Sequence, residues 1–442
     1  MQTKVLKFGG SSLADAAQFR KAADIIRADD AVRYVVVSAP GKRFDGDEKV
    51  TDLLYRCAQL AEEGQDIGPA FDLITARYRS IIADLGLPLS LEADFAEIRA
   101  AVSAGAGRDY TASRGEYLNG KIMAALLGFA FLDAREGIFF DDAGNLDAAR
   151  TYQTLPGLLE QAGKAVVPGF YGATPAGAVR TFSRGGSDIT GAIVARAAQV
   201  SVYENWTDVS GMLMADPRIV DDPRVIETIT YRELRELAYM GATVMHDEAI
   251  FPVREVGIPI NIRNTNAPGD PGTWIVAETA PIRHSSCVIT GVAGHGGFRA
   301  FTIAKDRMNN EVGFGRKVLQ ILEDFGISFE HIPSGIDTIS VIIAAADIAG
   351  RENEIISRIF RETGADSVHL DDALALIAVV GRGMTSTKGT AGRIFRAIAA
   401  QDVNIRMIDQ GSSENNIIIG VGEADCHTAI RAIYNEFVKE GA

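Results

Sequence analysis

The chain has 442 residues, enough for two or three domains that each have a hydrophobic core. Its 44 basic and 58 acidic side chains give a formal net charge of −14, which argues against non-specific binding to nucleic acid or to a membrane surface. The three cysteines are far apart and the histidines lack zinc-ligand spacing, so we expect neither a disulfide framework nor a zinc site. Without a run of about 18 apolar residues or a signal-type N-terminus, the sequence predicts a cytoplasmic protein.

Up to about residue 280, short apolar runs typical of buried strands alternate with helix-period stretches. This alternation predicts an α/β domain with a mostly parallel sheet flanked by helices. Between residues 49 and 105 the pattern is almost wholly helical, which indicates a helical lobe beside the sheet. The predicted strands are Val5–Phe8, Tyr34–Ser38, Ala165–Pro168, Ser201–Trp206 and Pro259–Arg263, and the predicted helices are Ala14–Ala28, Glu116–Leu127, Asp188–Ala198 and Tyr231–Tyr239.

The remainder of the chain contains an internal repeat. Segment 313–332 aligns with segment 389–408, and each reads as a helix, a turn and a short strand. Strands at 300–304 and 375–380 precede the copies, strands at 337–343 and 415–421 follow, and helices at 352–363 and 427–440 complete them. Both copies are therefore predicted to be ferredoxin-like β-α-β-β-α modules.

The predicted domain boundaries follow from this change of pattern. Residues 1–283 form the first domain and residues 284–442 the paired modules, with the first module at about 298–372 and the second at about 373–442. Because the second copy lacks a last strand, the strand at 287–293 is predicted to complete it, so that the two modules interleave.

Two glycine-rich turns carry the chemical signal in the first domain. KFGGSS (7–12) and RGGSD (184–188) each precede a predicted helix, and glycines let backbone N–H groups approach phosphate oxygens closely. The spacing is not that of a Walker A loop. Two helix N-termini facing one polyphosphate suit phosphoryl transfer, and a carboxylate acceptor is already ionised at neutral pH, so no general base is needed.

Eight motifs, in chain order, resemble those of the aspartokinases, which belong to the amino-acid kinase superfamily. The paired modules resemble ACT domains, and the resemblance spans nearly the whole chain. It implies ATP-dependent phosphorylation of the side-chain carboxylate of L-aspartate to 4-phospho-L-aspartate, the first step towards lysine, threonine and methionine. The motifs are KFGGSS (7–12), VVSAPGK (36–42), VTD (50–52), SRGE (113–116), PGFYG (168–172), TFSRGGSD (181–188), WTDVSG (206–211) and ADPR (215–218).

The resemblance also implies roles for individual residues. Lys7 and Asp188 are the expected catalytic residues, with Lys7 on the transferring phosphate. Glu116 pairs with the ammonium group of the substrate and Arg184 with its α-carboxylate, because a planar guanidinium can grip a carboxylate bidentately. Mg²⁺ is expected to bridge the ATP phosphates, with no side-chain ligand identified. Thr51, Phe170, Ser187 and Asp188 complete the aspartate site, and Lys7, Gly9, Gly10, Ser11, Thr207, Asp208, Leu213 and Arg218 form the expected ATP site.

Two positions depart from the pattern of these kinases. Leu213 stands where many have a tyrosine against the nucleotide, and Thr243 stands where many have a lysine. Threonine cannot neutralise a phosphate, so either another cation substitutes, with Arg218 the nearest named candidate, or nucleotide binding is weaker.

The ACT resemblance implies regulation by a free amino acid, lysine being favoured over threonine. It also implies a homodimer paired through these modules, because exposed sheet edges join readily; further pairing into a tetramer is left open. The expected effector site consists of Met308, Asn310, Glu311, Gly313, Phe314, Glu330, Ser334 and Asp337.

Two alternatives remain open at this stage. One is a kinase of another acidic amino acid, acetylglutamate or glutamate. Arg184 and Glu116 together favour a free amino acid with both α-groups charged, and the ACT pair further disfavours these relatives. The other is a non-catalytic amino-acid sensor on a kinase scaffold, motivated by Leu213 and Thr243. Retention of Lys7, Asp188 and Asp208 argues against it.

Overall fold

The computed structural model describes residues 3–183, 185–242, 245, 247–279, 287–411 and 414–439. The chain divides into two compact units, of which the first comprises Met1–Met212, Val225–Tyr231 and Val244–Arg283. The second comprises Leu213–Arg224, Arg232–Thr243 and His284–Ala442, so two short segments ahead of the predicted boundary belong with the C-terminal part. The boundary itself, at 283/284, lies outside the described residues. Within the described ranges, no helix is both long and apolar enough to cross a membrane.

The first unit is built on an eight-stranded sheet in the order β3-β4-β2-β1-β7-β9-β10-β8. The six strands from β3 to β9 in this order are parallel, and β10 is antiparallel to β9. Strands β5 and β6 form a separate hairpin. The strands are β1 (Lys4–Phe8), β2 (Val32–Val37), β3 (Ala130–Phe131), β4 (Ala165–Pro168), β5 (Tyr171–Ala173), β6 (Val179–Thr181), β7 (Val202–Thr207), β8 (Thr228–Thr230), β9 (Ile260–Asn264) and β10 (Thr273–Val276).

Eight helices of the first unit accompany these strands among the described residues, while α8 belongs to the second unit except for Tyr231. The predicted α/β class with a mostly parallel sheet is confirmed. The predicted helical lobe is also present, because α2, α3 and α4 follow one another and share a core that contains Phe71, Tyr78 and Phe95. The helices are α1 (Ala16–Arg27), α2 (Val50–Glu62), α3 (Gly68–Leu85), α4 (Glu92–Ser103), α5 (Arg108–Leu127), α6 (Ala148–Ala162), α7 (Gly186–Ala197), α8 (Tyr231–Tyr239) and α9 (Phe251–Arg254).

Helix α5 corrects one prediction. It begins at Arg108, so Glu116 lies within the helix and not at its first turn, where the helix dipole would favour a carboxylate. The polar stretch before Glu116 shows no helical period because the helix buries polar residues such as Thr111, Ser113 and Arg114 alongside its apolar ones. A helix buried on several sides lacks the amphipathic pattern from which helices are recognised.

The second unit contains a six-stranded sheet in the order β12-β11-β14-β16-β15, with β13 also paired to β11. Its inner face is packed with aliphatic side chains, among them Val341, Ile343 and Ile377. The strands are β11 (Gly291–Ala304), β12 (Thr338–Ala344), β13 (Ser367–Leu370), β14 (Leu374–Val380), β15 (Ile405–Asp409) and β16 (Asn416–Gly422), and the helices are α10 (Phe314–Asp324), α11 (Ala345–Ile348), α12 (Glu352–Thr363), α13 (Thr390–Ala399) and α14 (Cys426–Tyr434).

Strand β11 serves both modules. Its first part pairs with β14, and its second part, from Phe298 to Ala304, pairs with β12 and, from Phe301 onwards, with β13. The sequence predicted two separate strands here, at 287–293 and 300–304. The structure has one strand with a register shift between His295 and Phe298, because the intervening glycines form a bulge and do not end the strand.

The two copies of the repeat differ at one predicted strand. The second copy has β15, whereas in the first copy the segment before β12 makes only isolated pairings, of His331 with Ile342 and of Ser334 with Ile339. Pro333 lies between these pairings and has no N–H group to donate to a neighbouring strand. The prediction of a strand at this point in the first copy is therefore wrong.

Candidate active site

The carboxyl ends of four parallel strands meet at one edge of the first unit's sheet. Strands β1, β2, β4 and β7 are neighbours or next neighbours there, and each is followed by a loop that lines a cleft of about 650 Å³. In open parallel sheets this edge is where ligands bind. The described lining residues are Lys7, Gly10, Ser11, Ser38, Ala39, Pro40, Gly41, Lys42, Lys49, Thr51, Glu116, Phe170, Gly185, Gly186, Ser187, Asp188 and Asp208.

At the centre of the cleft, Lys7 at the end of β1 contacts Asp188 in the first turn of α7. The distance between Lys7 Nζ and Asp188 Oδ1 is 2.5 Å, and both side chains are largely buried. Asn205 on β7 lies beside them: its Nδ2 donates to Asp188 Oδ1 at 2.9 Å, and its Oδ1 accepts from Lys7 Nζ at 3.4 Å. Tyr203 also donates its hydroxyl proton to the Asp188 carbonyl oxygen. The lysine and the carboxylate are thus held in one orientation from two strands and a helix.

The two glycine-rich turns lie against neighbouring loops with almost no space for a side chain. A Cβ atom on Gly10 would lie 2.9 Å from the Ala39 carbonyl oxygen, and one on Gly186 would lie 2.5 Å from a ring carbon of Phe170. Gly186 is the first residue of α7, and Gly185 before it has the left-handed φ of 58°. Gly10, Gly185 and Gly186 also line the cleft, so the backbone of both turns lies beside it, as phosphate binding by N–H groups requires.

Glu116 is a buried carboxylate on the same cleft. It is only 5% exposed, and its Oε2 has no hydrogen-bond partner among the described residues. Burial raises the pKa of Glu116 to about 8, although the backbone N–H groups of Ala39 and Glu116 and the charges of Arg114 and Lys7 oppose this shift. An unpaired carboxylate oxygen facing a cleft is suited to an ammonium group supplied by a ligand.

Most of the sequence-predicted site residues come together here. Thr51 and Ser187 line the cleft with Glu116 and Phe170, while Ser11 and Asp208 line it from the turns after β1 and β7. Phe170 has φ of 81°, an unusual value for a residue with a side chain. Gly9 and Thr207 adjoin lining residues: Gly9 donates to the Trp206 carbonyl oxygen, and the Thr207 hydroxyl donates to Asp208 Oδ1. Their roles in binding stay predictions.

The structure does not test the placement of four other predicted residues at this cleft. Arg184, expected to grip the substrate carboxylate, and Thr243 lie outside the described residues. Leu213 and Arg218 belong to the second unit, and the guanidinium of Arg218 pairs with Asp216 at 2.6 Å. Their assignment to the nucleotide stays a prediction.

The predicted effector residues lie in the second unit around the turn Met308–Asn310. Glu311 pairs with Lys305 at 2.5 Å and with Lys317 at 2.7 Å, so its charge is already neutralised. Asp337 accepts from the Arg307 N–H group, and Glu330 accepts from the Tyr239 hydroxyl. Met308 and Phe314 are buried, Gly313 precedes α10, and Ser334 is exposed.

Three polar side chains at or beside the cleft were not predicted as site residues: Asn205, Lys42 and Lys49. Asn205, which joins Lys7 to Asp188, lies within a strand that reads only as an apolar run. Lys42 and Lys49 flank the loop before α2; Lys42 ends the motif VVSAPGK and Lys49 directly precedes VTD. Lys42 could have been found from its position in the motif VVSAPGK, but the motif by itself indicated no role for this side chain.

Comparisons with known proteins agree with this architecture. Residues 2–264 match the amino acid kinase family, and residues 377–437 match an ACT domain family. The chain is 40% identical to aspartokinase 3 of Bacillus subtilis, an alignment that covers 98% of each chain. The fold and the cleft thus define a kinase domain of the amino acid kinase family followed by an ACT region.

Solved structures similar to this chain are those of aspartate kinases. The crystal structure of Clostridium acetobutylicum aspartate kinase has a TM-score of 0.90 and 48% identity, covering 99% of this chain and 100% of that chain. Escherichia coli aspartokinase III is 26% identical in a complex with aspartate and ADP (TM-score 0.74, 98% and 99% covered) and in a complex with lysine and aspartate (TM-score 0.71, 99% and 100% covered). The chain belongs to the aspartokinases.

Proposed function

We propose that this chain transfers the γ-phosphoryl group of ATP to the side-chain carboxylate of L-aspartate. A carboxylate oxygen forms a bond to the γ-phosphorus while the bond between that phosphorus and the bridging oxygen of ADP breaks. The products are ADP and the acyl phosphate 4-phospho-L-aspartate. The observation that carries the proposal is the buried contact between Lys7 and Asp188 at the point where both glycine-rich turns meet the cleft.

Lys7 supplies the positive charge at the transferring group. Its ammonium group, fixed by Asp188 and Asn205, neutralises charge that spreads over the phosphoryl oxygens during transfer. Asp188 has no proton to abstract, because the acceptor carboxylate is ionised at neutral pH. We therefore assign to Asp188 the task of holding Lys7 in position.

The glycine-rich turns bind the phosphates of ATP. Their backbone N–H groups and the positive end of the α7 dipole attract anions, and the absence of side chains at Gly10 and Gly186 lets the turns pack closely against Ala39 and Phe170. Among the described residues, no group of three or more acidic, histidine or cysteine side chains could hold a metal ion. Mg²⁺ would then be held chiefly by the phosphate oxygens of ATP and would neutralise their charge.

The substrate amino acid is recognised through its two α-substituents. The unpaired Oε2 atom of Glu116 is available to the ammonium group, and Thr51, Phe170 and Ser187 lie on the same cleft. We assign the α-carboxylate to Arg184 by resemblance to other aspartokinases. Recognition of both groups selects a free amino acid over an N-acylated one, because acylation removes the charge that Glu116 binds.

A coupled assay of ADP release with ATP, Mg²⁺ and L-aspartate tests the proposal. We expect turnover by the unmodified chain and a loss of kcat of about a hundredfold or more in Lys7→Met, since removal of one preorganised charge donor has this effect in other enzymes. Lys164→Met is the matched control, because Lys164 directly precedes β4 at the opposite edge of the same sheet. The control should retain full activity.

The same assay separates the alternatives. Turnover with acetylglutamate or glutamate and none with aspartate would assign the chain to another acidic amino acid. Absence of turnover with all three, together with retained lysine binding, would make it a sensor without catalysis. A thermal unfolding curve for each variant shows whether any loss comes from misfolding.

The ACT region is assigned an amino-acid effector, with lysine favoured over threonine, and a homo-oligomeric state. The support is the ACT match and the lysine complex of the E. coli relative. Because Glu311 is already neutralised by two lysines, Glu330 and Asp337 are better candidates to bind the effector's ammonium groups.

A further inference from the structure

The loop between β2 and α2, residues 38–49, carries three basic side chains that differ in their partners. Arg43 donates from Nε and Nη2 to the two carboxylate oxygens of Asp47, each at 2.9 Å. Lys42 and Lys49 are exposed on the cleft, and within the described ranges neither forms an ion pair. Two cations without a carboxylate partner therefore face the same space as Lys7.

The loop is held in place at both of its ends. The Gly41 N–H group donates to the Gly10 carbonyl oxygen at 2.8 Å, and the Val50 N–H group donates to the Pro40 carbonyl oxygen at 3.1 Å. A Cβ atom on Gly41 would lie 2.6 Å from the Gly10 carbonyl carbon. The base of Lys42 is thus fixed against the turn that is assigned to phosphate binding.

A buried arginine fixes the far side of the loop. Arg77 on α3 is only 6% exposed, and it donates from Nη2 to Asp47 Oδ2 at 2.8 Å and from Nη1 to the Gly41 carbonyl oxygen at 3.2 Å. The hydrogen bonds from Arg43 hold the pKa of Asp47 well below its usual range, so this carboxylate stays charged. Asp47 thus pairs with Arg43 and Arg77 and forms no ion pair with either lysine.

A polyphosphate carries several negative charges, which unpaired cations of the cleft can neutralise. Among the described lining residues, Lys7 is paired with Asp188, and Glu116 and Asp208 are the other acidic side chains. Lys42 and Lys49 are the cations of this lining that have no carboxylate partner among the described residues. Their charge favours the approach of a nucleotide triphosphate to the cleft.

We propose that Lys42 and Lys49 bind the phosphate oxygens of ATP; the inference rests on the proposed function and deepens it. A lysine carries a compact charge on a flexible side chain, so its ammonium group can stay close to the phosphate oxygens during transfer. Both lysines approach from the loop after β2, while the glycine-rich turns approach from β1 and α7. The nucleotide is then held by backbone N–H groups on one side and by two ammonium groups on the other.

The test uses Lys42→Gln, Lys49→Gln and the double variant, with Lys164→Gln as the control at the opposite sheet edge. Calorimetry gives the Kd of ADP with Mg²⁺, and steady-state kinetics give the KM values for ATP and for aspartate. Each substitution should raise the nucleotide Kd and the KM for ATP about fivefold, the effect of one charge at about 4 Å in water. The KM for aspartate should change by less than about twofold, and Lys42→Arg should restore most of the affinity.

The outcomes separate this inference from the proposed function. An unchanged nucleotide Kd in a folded double variant would overturn the inference even if the unmodified chain turns over aspartate. A rise in the KM for aspartate alone would also overturn it, because it would assign the lysines to the amino acid. If the unmodified chain shows no turnover, the proposed function fails, and the nucleotide Kd still decides the role of the lysines.

Discussion

Glu116 shows how a single residue links burial to ligand recognition. A charged carboxylate that lacks a hydrogen-bond partner is unfavourable in a buried position. Burial raises the pKa of Glu116 to about 8, so near neutral pH the side chain is mostly protonated before substrate binds. An ammonium group beside Oε2 would stabilise the charged form, and substrate binding would then release a proton.

The affinity for aspartate should therefore depend on pH. Between about pH 6 and pH 8 we expect the KM for aspartate to fall as pH rises. At higher pH a larger fraction of Glu116 is already ionised before aspartate binds. Steady-state kinetics across this range test the expectation. Glu116→Gln should raise the KM about tenfold or more and remove this pH dependence. A Glu116→Gln variant that keeps the slope would assign the titration to another group.

Glu116→Gln should weaken aspartate binding but increase the stability of the folded chain. A carboxyl group whose pKa is raised in the folded state destabilises that state once pH rises above its unfolded value, near 4.5, and the loss is complete above about 8. Glu116→Gln should thus raise the free energy of unfolding relative to the unmodified chain at pH 8 more than it does at pH 5. Urea unfolding at the two pH values provides the measurement; an equal difference at both would contradict the raised pKa.

At the scale of elements, the cleft depends on close contact between the β4 loop and the start of α7. Phe170 adopts φ of 81°, and its N–H group donates to the Thr190 hydroxyl while its carbonyl oxygen accepts from the Phe182 N–H group. Such a backbone conformation persists only where the surroundings fix it, and it occurs here beside the candidate phosphate site. Gly186 makes the contact possible by leaving space for the Phe170 ring.

A pair of glycine substitutions tests this contact. Gly186→Ala should lower both activity and stability, because its Cβ atom would lie 2.5 Å from Phe170 and would displace the start of α7. Gly157→Ala is the matched control, since it lies within α6 and its Cβ atom would meet no atom within 4 Å. The control should retain activity and gain about 0.5 to 1 kcal/mol in free energy of unfolding. Equal effects of the two substitutions would show that the contact is unimportant.

At the scale of the whole molecule, the chain combines a kinase domain with a pair of modules that share one strand. Because β11 pairs with strands of both modules, neither module has a complete sheet without it. An effector that orders one module therefore acts on a strand common to both. This arrangement suits a regulatory region that responds as one body.

We expect millimolar lysine to inhibit aspartate phosphorylation, with threonine the weaker inhibitor. A titration of each amino acid in the ADP-release assay measures this, and a rise in the thermal unfolding temperature reports binding independently of activity. Leucine serves as a control amino acid because its side chain carries no charge. Activity that stays flat across both titrations would remove the regulatory proposal.

Much of the fold was predictable from local sequence. Ala165–Pro168 and Tyr231–Tyr239 have the same bounds in prediction and structure, because a buried parallel strand and an amphipathic helix each leave a periodic or continuous apolar pattern. The first eight residues of α5 were missed because buried polar side chains interrupt that pattern. The continuous β11 was missed because glycine marks a bulge and a strand end alike.

The sequence by itself determined the α/β class, the repeated C-terminal modules and the two glycine-rich turns, since each is encoded in residues that are close together in the chain. Only the tertiary structure decided that Asn205 joins Lys7 to Asp188 and that Glu116 is buried with an unpaired oxygen. It also decided that Asp47 pairs with Arg43 and Arg77 while Lys42 and Lys49 have no carboxylate partner among the described residues. The physical reason is that charge pairing and burial depend on distances between residues far apart in the chain, and these distances are set by how the strands order in the sheet.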